Sequence, residues 1–355
     1  MEIMQTKRID VGVLGATGMV GQQFIRQLAD HPWFRPAWFA ASERSEGKTY
    51  GEAASWRLSW PMPADLRGVR VDSCTPGRGP HLMFSALDAT AAQDVEPAFA
   101  QAGHLVISNA RSYRMDPLVP LLIPEVNADH LALVPAQQRE RGWTGAIVTN
   151  PNCSTVVLSM ALAPLRQFGI RSVMVTTLQA VSGAGYPGVA SLDILGNVVP
   201  AISGEEEKIE SETQKILGQL DSMRVKPHPM VVSAQTTRVP VIDGHTESVS
   251  IAFDGRASID DVIAALRSFR GKPQDLNLPT APPNPIVWTD AGDRPQPRLD
   301  AERDGGMTVT VGRVRKCPVQ DVKFIALGHN TIRGAAGAAV LNAELMRAEG
   351  LLVGD

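Results

Sequence analysis

Apolar positions along the chain follow two rhythms. Up to about residue 110, short continuous apolar runs alternate with stretches whose apolar positions recur every three or four residues. The runs at 9–14, 37–41, 82–87 and 105–109 are short, bounded by turn residues and β-branched or aromatic in part, and read as buried strands. Phe24, Ile25 and Leu28, and the stretch through 95–100, read as helices. Such alternation predicts a parallel sheet. A further strand at 143–149 leads into Asn150-Pro151-Asn152-Cys153, after which Ser154-Thr155 open a helix marked by Val156, Val157, Met160, Leu162 and Leu165.

Beyond that helix the rhythm changes. Residues 172–181, 230–241, 246–253, 308–315 and 322–327 are strand-like, and predicted helices at 191–202, 205–220 and 258–269 interrupt them. Ser258 caps the last of these, with Asp260 and Asp261 in its first turn. Elements in blocks predict a second, mixed or antiparallel sheet in an α+β domain. Proline-rich 272–299 reads as a wrapping or interface segment, and a final helix at 333–347, opened by small residues, is expected to return to the first domain. The expected fold class is α/β: a Rossmann-type parallel sheet over 1–152, completed by 330–355, and an α+β domain over 153–329.

At 355 residues the chain suits two cores. A formal charge of -3 argues against a general polyanion partner such as nucleic acid. The 3 cysteines, Cys74, Cys153 and Cys317, are too widely spaced for a zinc motif or a disulfide framework, which suits a reducing cytoplasm and predicts no metal. No segment approaches the roughly 18 apolar residues of a membrane helix. Residues 1–8 lack the apolar core of an export signal.

Candidate chemistry gathers at a few places. Gly15-Ala-Thr-Gly18-Met-Val-Gly21 stands between the first strand and the first helix, where glycines let a backbone approach a pyrophosphate that the helix N-terminus then meets. Taken alone, the spacing also fits a tight turn with close helix packing. Ser42-Glu43-Arg44-Ser45 ends the second strand, and Arg44 between two serines fits a ribose 2′-phosphate, with Glu43 pointing away; an exposed loop charge is the bland alternative. Ser85 and Asn109 fall at strand C-termini, the ligand edge of such sheets, and Arg111 and Arg114 follow in a loop. Cys153 at a helix start is expected to be a thiolate nucleophile near neutral pH, against the alternative of a small buried hydrophobe. His245 follows the Asp243-Gly244 turn, with Arg238 seven residues before it, so that a base and a carboxylate clamp would share one hairpin. Gln179 ends a strand before the glycine-rich loop at 182–185, and Glu205 and Lys208 are spaced as a surface ion pair on one helix face.

These segments together resemble the aspartate-β-semialdehyde dehydrogenase family, in the branch that includes archaeal and fungal enzymes. The resemblance rests on GATGMVG at 15–21, AASERS at 40–45, SNARSYRMDP at 108–117, NPNCST at 150–155, LQAVSGAGYPG at 178–188, GEEEKIE at 204–210, RVPVIDGH at 238–245 and HNTIRGAAGAA at 329–339. It implies a cytoplasmic, NADP-dependent oxidoreductase of lysine, methionine and threonine biosynthesis, which reduces L-aspartyl-4-phosphate to L-aspartate 4-semialdehyde through a cysteine thioester. It also implies a homodimer or homotetramer formed through the second, catalytic domain. In this family Cys153 would be the nucleophile, His245 the acid/base and Gln179 a positioning group. Arg238 would hold the substrate α-carboxylate and Glu205 its amino group, while Lys208, Arg114 and Asn109 bind phosphate. Gly15, Thr17, Gly18, Met19 and Val20 would cradle the pyrophosphate of NADP(H), Ser42, Arg44 and Ser45 read its 2′-phosphate, and Ser85, Ser182, Gly183 and Asn330 lie along the cofactor. Members often carry Cys-Asn before the arginine where this chain has Thr236-Thr237. Rival readings are an acyl-CoA reductase of malonyl-CoA type and a non-catalytic NADP-binding relative.

Overall fold

In the computed structural model, which describes residues 8–352, the first apolar run forms strand β1, Ile9–Leu14, and Gly15 ends it with a left-handed φ of 74°. Most of the leading octapeptide, Met1–Lys7, and the last residues of the chain, 353–355, lie outside the described residues. Strands β2 (Phe34–Ala41), β3 (Val71–Ser73), β4 (Leu82–Ser85), β5 (Leu105–Ser108) and β6 (Ala146–Thr149) complete a 6-stranded sheet in the order β3-β2-β1-β4-β5-β6, parallel throughout. Every residue of β4, β5 and β6 is buried, as expected of parallel strands covered on both faces. The chain runs outward from β1 to β3 and then crosses to β4. The C-terminal ends of β1 and β4 therefore border the crevice where open sheets of this kind bind ligands.

The helix Met19–Ala29 and the last helix, Gly337–Ala348, contribute to the core on one side of this sheet, in which Val11, Phe24, Phe84, Ile332, Val340 and Met346 belong to one cluster. Arg333, just before that last helix, makes a bidentate ion pair with Glu125 at 2.7 and 2.7 Å, and both side chains are fully buried.

A second sheet begins with β7, Ile170–Gln179, whose side chains alternate between buried and exposed. After a small hairpin of β8 (Gln219–Asp221) and β9 (Arg224–Lys226) come β10 (Val231–Arg238), β11 (His245–Phe253), β12 (Ile286–Thr289), β13 (Val309–Lys316) and β14 (Val322–Gly328). The order β10-β7-β11-β14-β13-β12 is mixed, with β10 parallel to β7, β12 parallel to β13, and the other pairs antiparallel. The helices Cys153–Leu162, Glu205–Ile216 and Ile259–Ser268 share its core. The outward positions of β7 and β10 leave Met174 53% and Val231 66% exposed.

Four expectations are corrected. The helix foreseen over 191–202 is a single turn, Ser191–Ile194: only Ile194 is buried, Leu192 and Leu195 are 92% and 70% exposed and so find no surface within this chain, and Gly196 turns the chain with φ 68°. The helix foreseen over 205–220 ends at Ile216, and the β8–β9 hairpin follows. The segment 272–299 contributes an edge strand, β12, which proline flanks but does not enter. Finally, β10 and β11 do not form a hairpin, because β7 lies between them and pairs with both.

Candidate active site

That insertion of β7 builds the site. Gln179 at the end of β7 is in register with Arg238 at the end of β10, and Thr246, one residue into β11, is in register with Leu178. Gln179, Arg238 and His245 thus come to one edge of the second sheet from three strands. Gly328 lies opposite His245 on β14, and a Cβ there would come within 2.7 Å of Val157 Cγ2, so glycine lets the Cys153–Leu162 helix lie directly on the strands.

The nucleophile candidate starts that helix. Asn152 is its N-cap, with Oδ1 accepting from the Ser154 and Thr155 N–H groups at 3.0 and 3.2 Å. Asn150, just after β6, donates from Nδ2 to Asn109 Oδ1 at 2.8 Å and to the Ala335 carbonyl at 2.9 Å. Gly334 meets the other side of Cys153: a Cβ there would sit 2.6 Å from Cys153 Cβ, which no side chain permits. Cys153 Sγ lies 3.2 Å from His245 Nε2, and His245 Nδ1 accepts the Ala180 backbone N–H at 3.1 Å.

Burial governs the protonation of this pair. Desolvation, with the Glu205 charge adding to it, pushes the Cys153 thiol up to about 12 against the pull of Arg114 and Arg238. Desolvation, Arg238 and His329 push the His245 imidazole down to about 3. The helix start is expected to favour a thiolate near neutral pH; the Asn152 side chain takes two first-turn N–H groups, and desolvation acts against the remaining helix field. Burial therefore disfavours the charged form of each partner.

Anchoring groups surround it. Gln179 Nε2 donates to Ser154 Oγ at 2.7 Å. Glu205 accepts from Asn152 Nδ2 at 2.7 Å and from Lys208 Nζ at 2.9 Å, so the pair expected on a surface closes on the nucleophile's own cap. Lys208 and Asn152, ahead of the Gln179 side chain, outweigh burial and hold the Glu205 carboxyl below the usual range. Arg238 donates from Nη1 to the Ala180 carbonyl at 2.8 Å, and Thr236, in the departure noted above, donates its N–H to Glu206 at 2.9 Å without displacing that arginine. Arg114 donates to Glu212 at 3.0 Å and to the Asn109 carbonyl at 2.7 Å, while its buried Nε and the buried Asn109 Nδ2 have no partner. Orphaned buried donors of this kind ask for an acceptor, and an oxyanion supplies one.

A cleft of about 490 Å³ runs through these groups and is lined by Cys153, Glu205, Lys208, Arg238, Arg114, Asn109, Ser182, Gly183, Asn330, Met19 and Val20. Gln179 and His245 are buried behind Cys153. Asn330 ties two loops together, donating to Ser182 Oγ at 2.8 Å and accepting the Gly244 N–H at 2.8 Å. At the cofactor end, a Cβ on Gly15 would lie 2.7 Å from the Ala86 carbonyl and one on Gly21 would lie 2.4 Å from the Gly15 carbonyl, whereas Gly18 caps the Met19–Ala29 helix without a side-chain cap. The Thr17 carbonyl accepts from Gln22 Nε2 at 3.0 Å. A close-packed glycine turn with free helix N–H groups fits a dinucleotide pyrophosphate. Ser42 and Arg44 are exposed and Ser45 is half-buried beyond the end of β2, at the ribose edge. Ser85 departs from expectation: its hydroxyl donates to the buried Glu96 at 2.6 Å, because the strand turns that side chain into the protein, away from the crevice.

Three residues escaped the sequence reading. Asn152 is the cap. Glu212 accepts both Arg114 Nη1 and the Asn152 backbone N–H, the latter at 2.6 Å. Lys215 binds the carbonyls of Arg114, Asp116 and Val119 at 2.7, 2.8 and 2.9 Å. The available signal was spacing: Glu205, Lys208, Glu212 and Lys215 share one face of their helix.

Comparison with known proteins places this geometry in context. Residues 10–134 match the family model for the semialdehyde dehydrogenase NAD binding domain, and residues 162–333 match that for the semialdehyde dehydrogenase dimerisation domain. The aspartate-semialdehyde dehydrogenase of Archaeoglobus fulgidus is 51% identical over 97% of this chain and 100% of its own, and that of Cryptococcus neoformans is 49% identical over 97% and 98%. Among solved structures, aspartate-semialdehyde dehydrogenase with NADP from Candida albicans superposes with a TM-score of 0.90 at 44% identity, covering 97% of this chain and 100% of that one. Joined by near-full-length identity to archaeal and fungal enzymes and by both domain models, this chain belongs to the aspartate-semialdehyde dehydrogenase family.

Proposed function

We propose that this protein catalyses the NADPH-dependent reductive dephosphorylation of L-aspartyl-4-phosphate to L-aspartate 4-semialdehyde, in the cytoplasm and on the route to lysine, methionine and threonine. The observation that carries this reading is the Cys153 to His245 contact at 3.2 Å, set between the Glu205 carboxylate and the Arg238 and Arg114 guanidiniums in one cleft. Arg238 holds the substrate α-carboxylate and Glu205 its ammonium group. Arg114, Lys208 and Asn109 take the phosphate, supported by the orphaned Arg114 Nε and Asn109 Nδ2. So held, the acyl carbon meets Cys153 Sγ; the S–C bond forms, phosphate leaves and a thioester remains. Bound NADPH supplies the hydride that reduces this thioester. Gly15, Thr17, Gly18, Met19 and Val20 would hold its pyrophosphate, Ser42, Arg44 and Ser45 would read its 2′-phosphate, and the Ser182-Gly183 loop with Asn330 would lie by the nicotinamide. The tetrahedral oxyanion on Cys153 collapses to the aldehyde, with His245 as hydrogen-bond and proton partner of the sulfur.

Residues 1–152 with 330–355 would serve as the cofactor domain and 153–329 as the catalytic and dimerisation domain. The exposed apolar face at Met174, Leu178 and Val231 would be covered in a homodimer or a tetramer of such dimers. Among the described residues no helix is long and apolar enough to cross a membrane, and no group of metal-ligating side chains gathers. The test is NADP reduction with aspartate semialdehyde plus phosphate, run beside malonate semialdehyde plus coenzyme A. Phosphate-dependent turnover of the first is expected. Turnover of the second alone would overturn the roles of Glu205 and Arg238, and silence in both would favour a binding protein.

A further inference from the structure

Lys215 is a buried cation whose charge is met by main-chain dipoles. Its Nζ donates to the carbonyls of Arg114, Asp116 and Val119 at 2.7, 2.8 and 2.9 Å, which uses all three N–H bonds of an ammonium. The two carboxylates whose charge reaches it are each taken by an arginine: Glu212 pairs with Arg114 at 3.0 Å, and Asp116 pairs with Arg141. His130 is the other titratable group beside it, and burial holds that imidazole below its usual range. The three carbonyls belong to one loop, and the same loop carries Arg114 to the cleft. Ser112 anchors the loop to the Ala89 carbonyl before Arg114, and Gln137 anchors it at Leu118. Between those points its own turn bonds, from the Arg114, Asp116 and Val119 N–H groups, are long at 3.3, 3.2 and 3.2 Å, so the main chain leans on Lys215. A neutral amine has two N–H bonds and a lone pair. On losing its proton, Lys215 would leave one of the three carbonyls facing that lone pair.

We propose that Lys215 is a positioning residue for the phosphate end of the site: its ammonium pins the loop from Arg114 to Val119 through three carbonyls and so aims the Arg114 guanidinium, and loss of its proton releases the loop and weakens phosphate binding. The inference rests on Arg114 being a phosphate ligand, and it gives a lysine that does not line the cleft control over what the cleft captures. Burial, the largest influence, pulls the Lys215 ammonium down to about 8 against the charges of Asp116 and Glu212. Release therefore falls in a mildly alkaline range where an exposed lysine stays charged. Below that range the loop is pinned; as pH rises through it, the pin is lost. Linkage requires the converse effect. Phosphate, by favouring the pinned loop, must raise the pH at which Lys215 gives up its proton.

Amide hydrogen exchange on the full-length wild-type protein reads the loop without turnover. Corrected for the intrinsic rate, protection of the Arg114, Asp116 and Val119 amides is expected to fall about tenfold between about pH 7 and about pH 9, while that of β4 and β5 holds. Saturating inorganic phosphate should move this fall to higher pH, a shift that a merely structural lysine would not show. Steady-state kinetics gives a second reading. The wild-type KM for phosphate, divided at each pH by that of Lys215→Arg to cancel the titration of phosphate itself, should rise about tenfold over the same window, because the guanidinium keeps its charge. Where the larger arginine prevents folding, exchange in the wild-type protein with and without phosphate decides alone. Loop protection that stays flat through this window, or a fall that phosphate does not move, would overturn the role given to Lys215. A failed assay with aspartate semialdehyde beside an intact phosphate shift would overturn the substrate assignment and leave Lys215 its task.

Discussion

Single side chains in this protein are set by what surrounds them more than by where they fall in the sequence, and Cys153 is the plainest case. Its motif and helix start pointed to a nucleophile, but not to the desolvation that pushes the thiol pKa up. Replacing it, Cys153→Ala, should lower turnover below about a thousandth of wild type while NADPH binding, followed by fluorescence titration, stays intact. His245 makes a second prediction, in stability. Its pKa falls to about 3 in the folded protein, so in the window from about 6.5 down to about 3 the unfolded chain binds a proton that the native state refuses. Its contribution is therefore favourable above that window and lost as pH falls, by up to about 1.4 kcal/mol per pH unit, which urea titrations of wild type and His245→Gln would resolve. Glu247 has the opposite sign. It is fully buried, neither carboxylate oxygen has a partner, and desolvation raises its pKa well above the usual range. Stability should thus decline as pH rises past the ordinary carboxylate value, and Glu247→Gln should flatten that decline.

At the scale of elements, the first sheet was legible because parallel strands buried on both faces leave unbroken apolar runs, and glycines mark the turn between β1 and its helix. The second sheet was legible as strands but not as pairings. Arg238 and His245 sit seven residues apart around a turn, which suggests a hairpin, yet β7 carries the alternating apolar face that both β10 and β11 need, and it separates them. Strand order is decided by contacts between distant segments, which a local pattern does not encode. The helix Glu205–Ile216 was foreseen, but the task of its charged face was not. Glu212 joins Arg114 to the cap of the nucleophile helix, so Glu212→Gln places an amide donor against at least one donor. A rise of about tenfold or more in the KM for phosphate, with NADP binding unchanged, is expected from steady-state kinetics. Gly334→Ala should be harsher: the added carbon meets Cys153 Cβ at 2.6 Å, and loss of activity with destabilisation of about 1–3 kcal/mol should appear together in assays and thermal melts.

For the whole molecule, the two cores are joined along the chain at the nucleophile and again near its end. An apolar face of the second sheet is left open, and Met174→Lys with Val231→Lys should shift sedimentation toward the monomer if that face is the one buried between copies. The C-terminal return has a different consequence. Ile332, Val340 and Met346 pack in one core with Val11, Phe24 and Phe84, Glu344 accepts His31 at 2.7 Å, and Arg333 neutralises the otherwise buried charge of Glu125. While the chain is being synthesised, the first domain is therefore complete in sequence order long before it is complete in substance: its sheet emerges from the ribosome early and must wait, that side only partly covered by the Met19–Ala29 helix, for the segment from Ile332 to Met346. The glycine that makes room for Cys153 arrives in that same final stretch, so a nascent chain can hold its cofactor turn and its nucleophile helix and still have no working site.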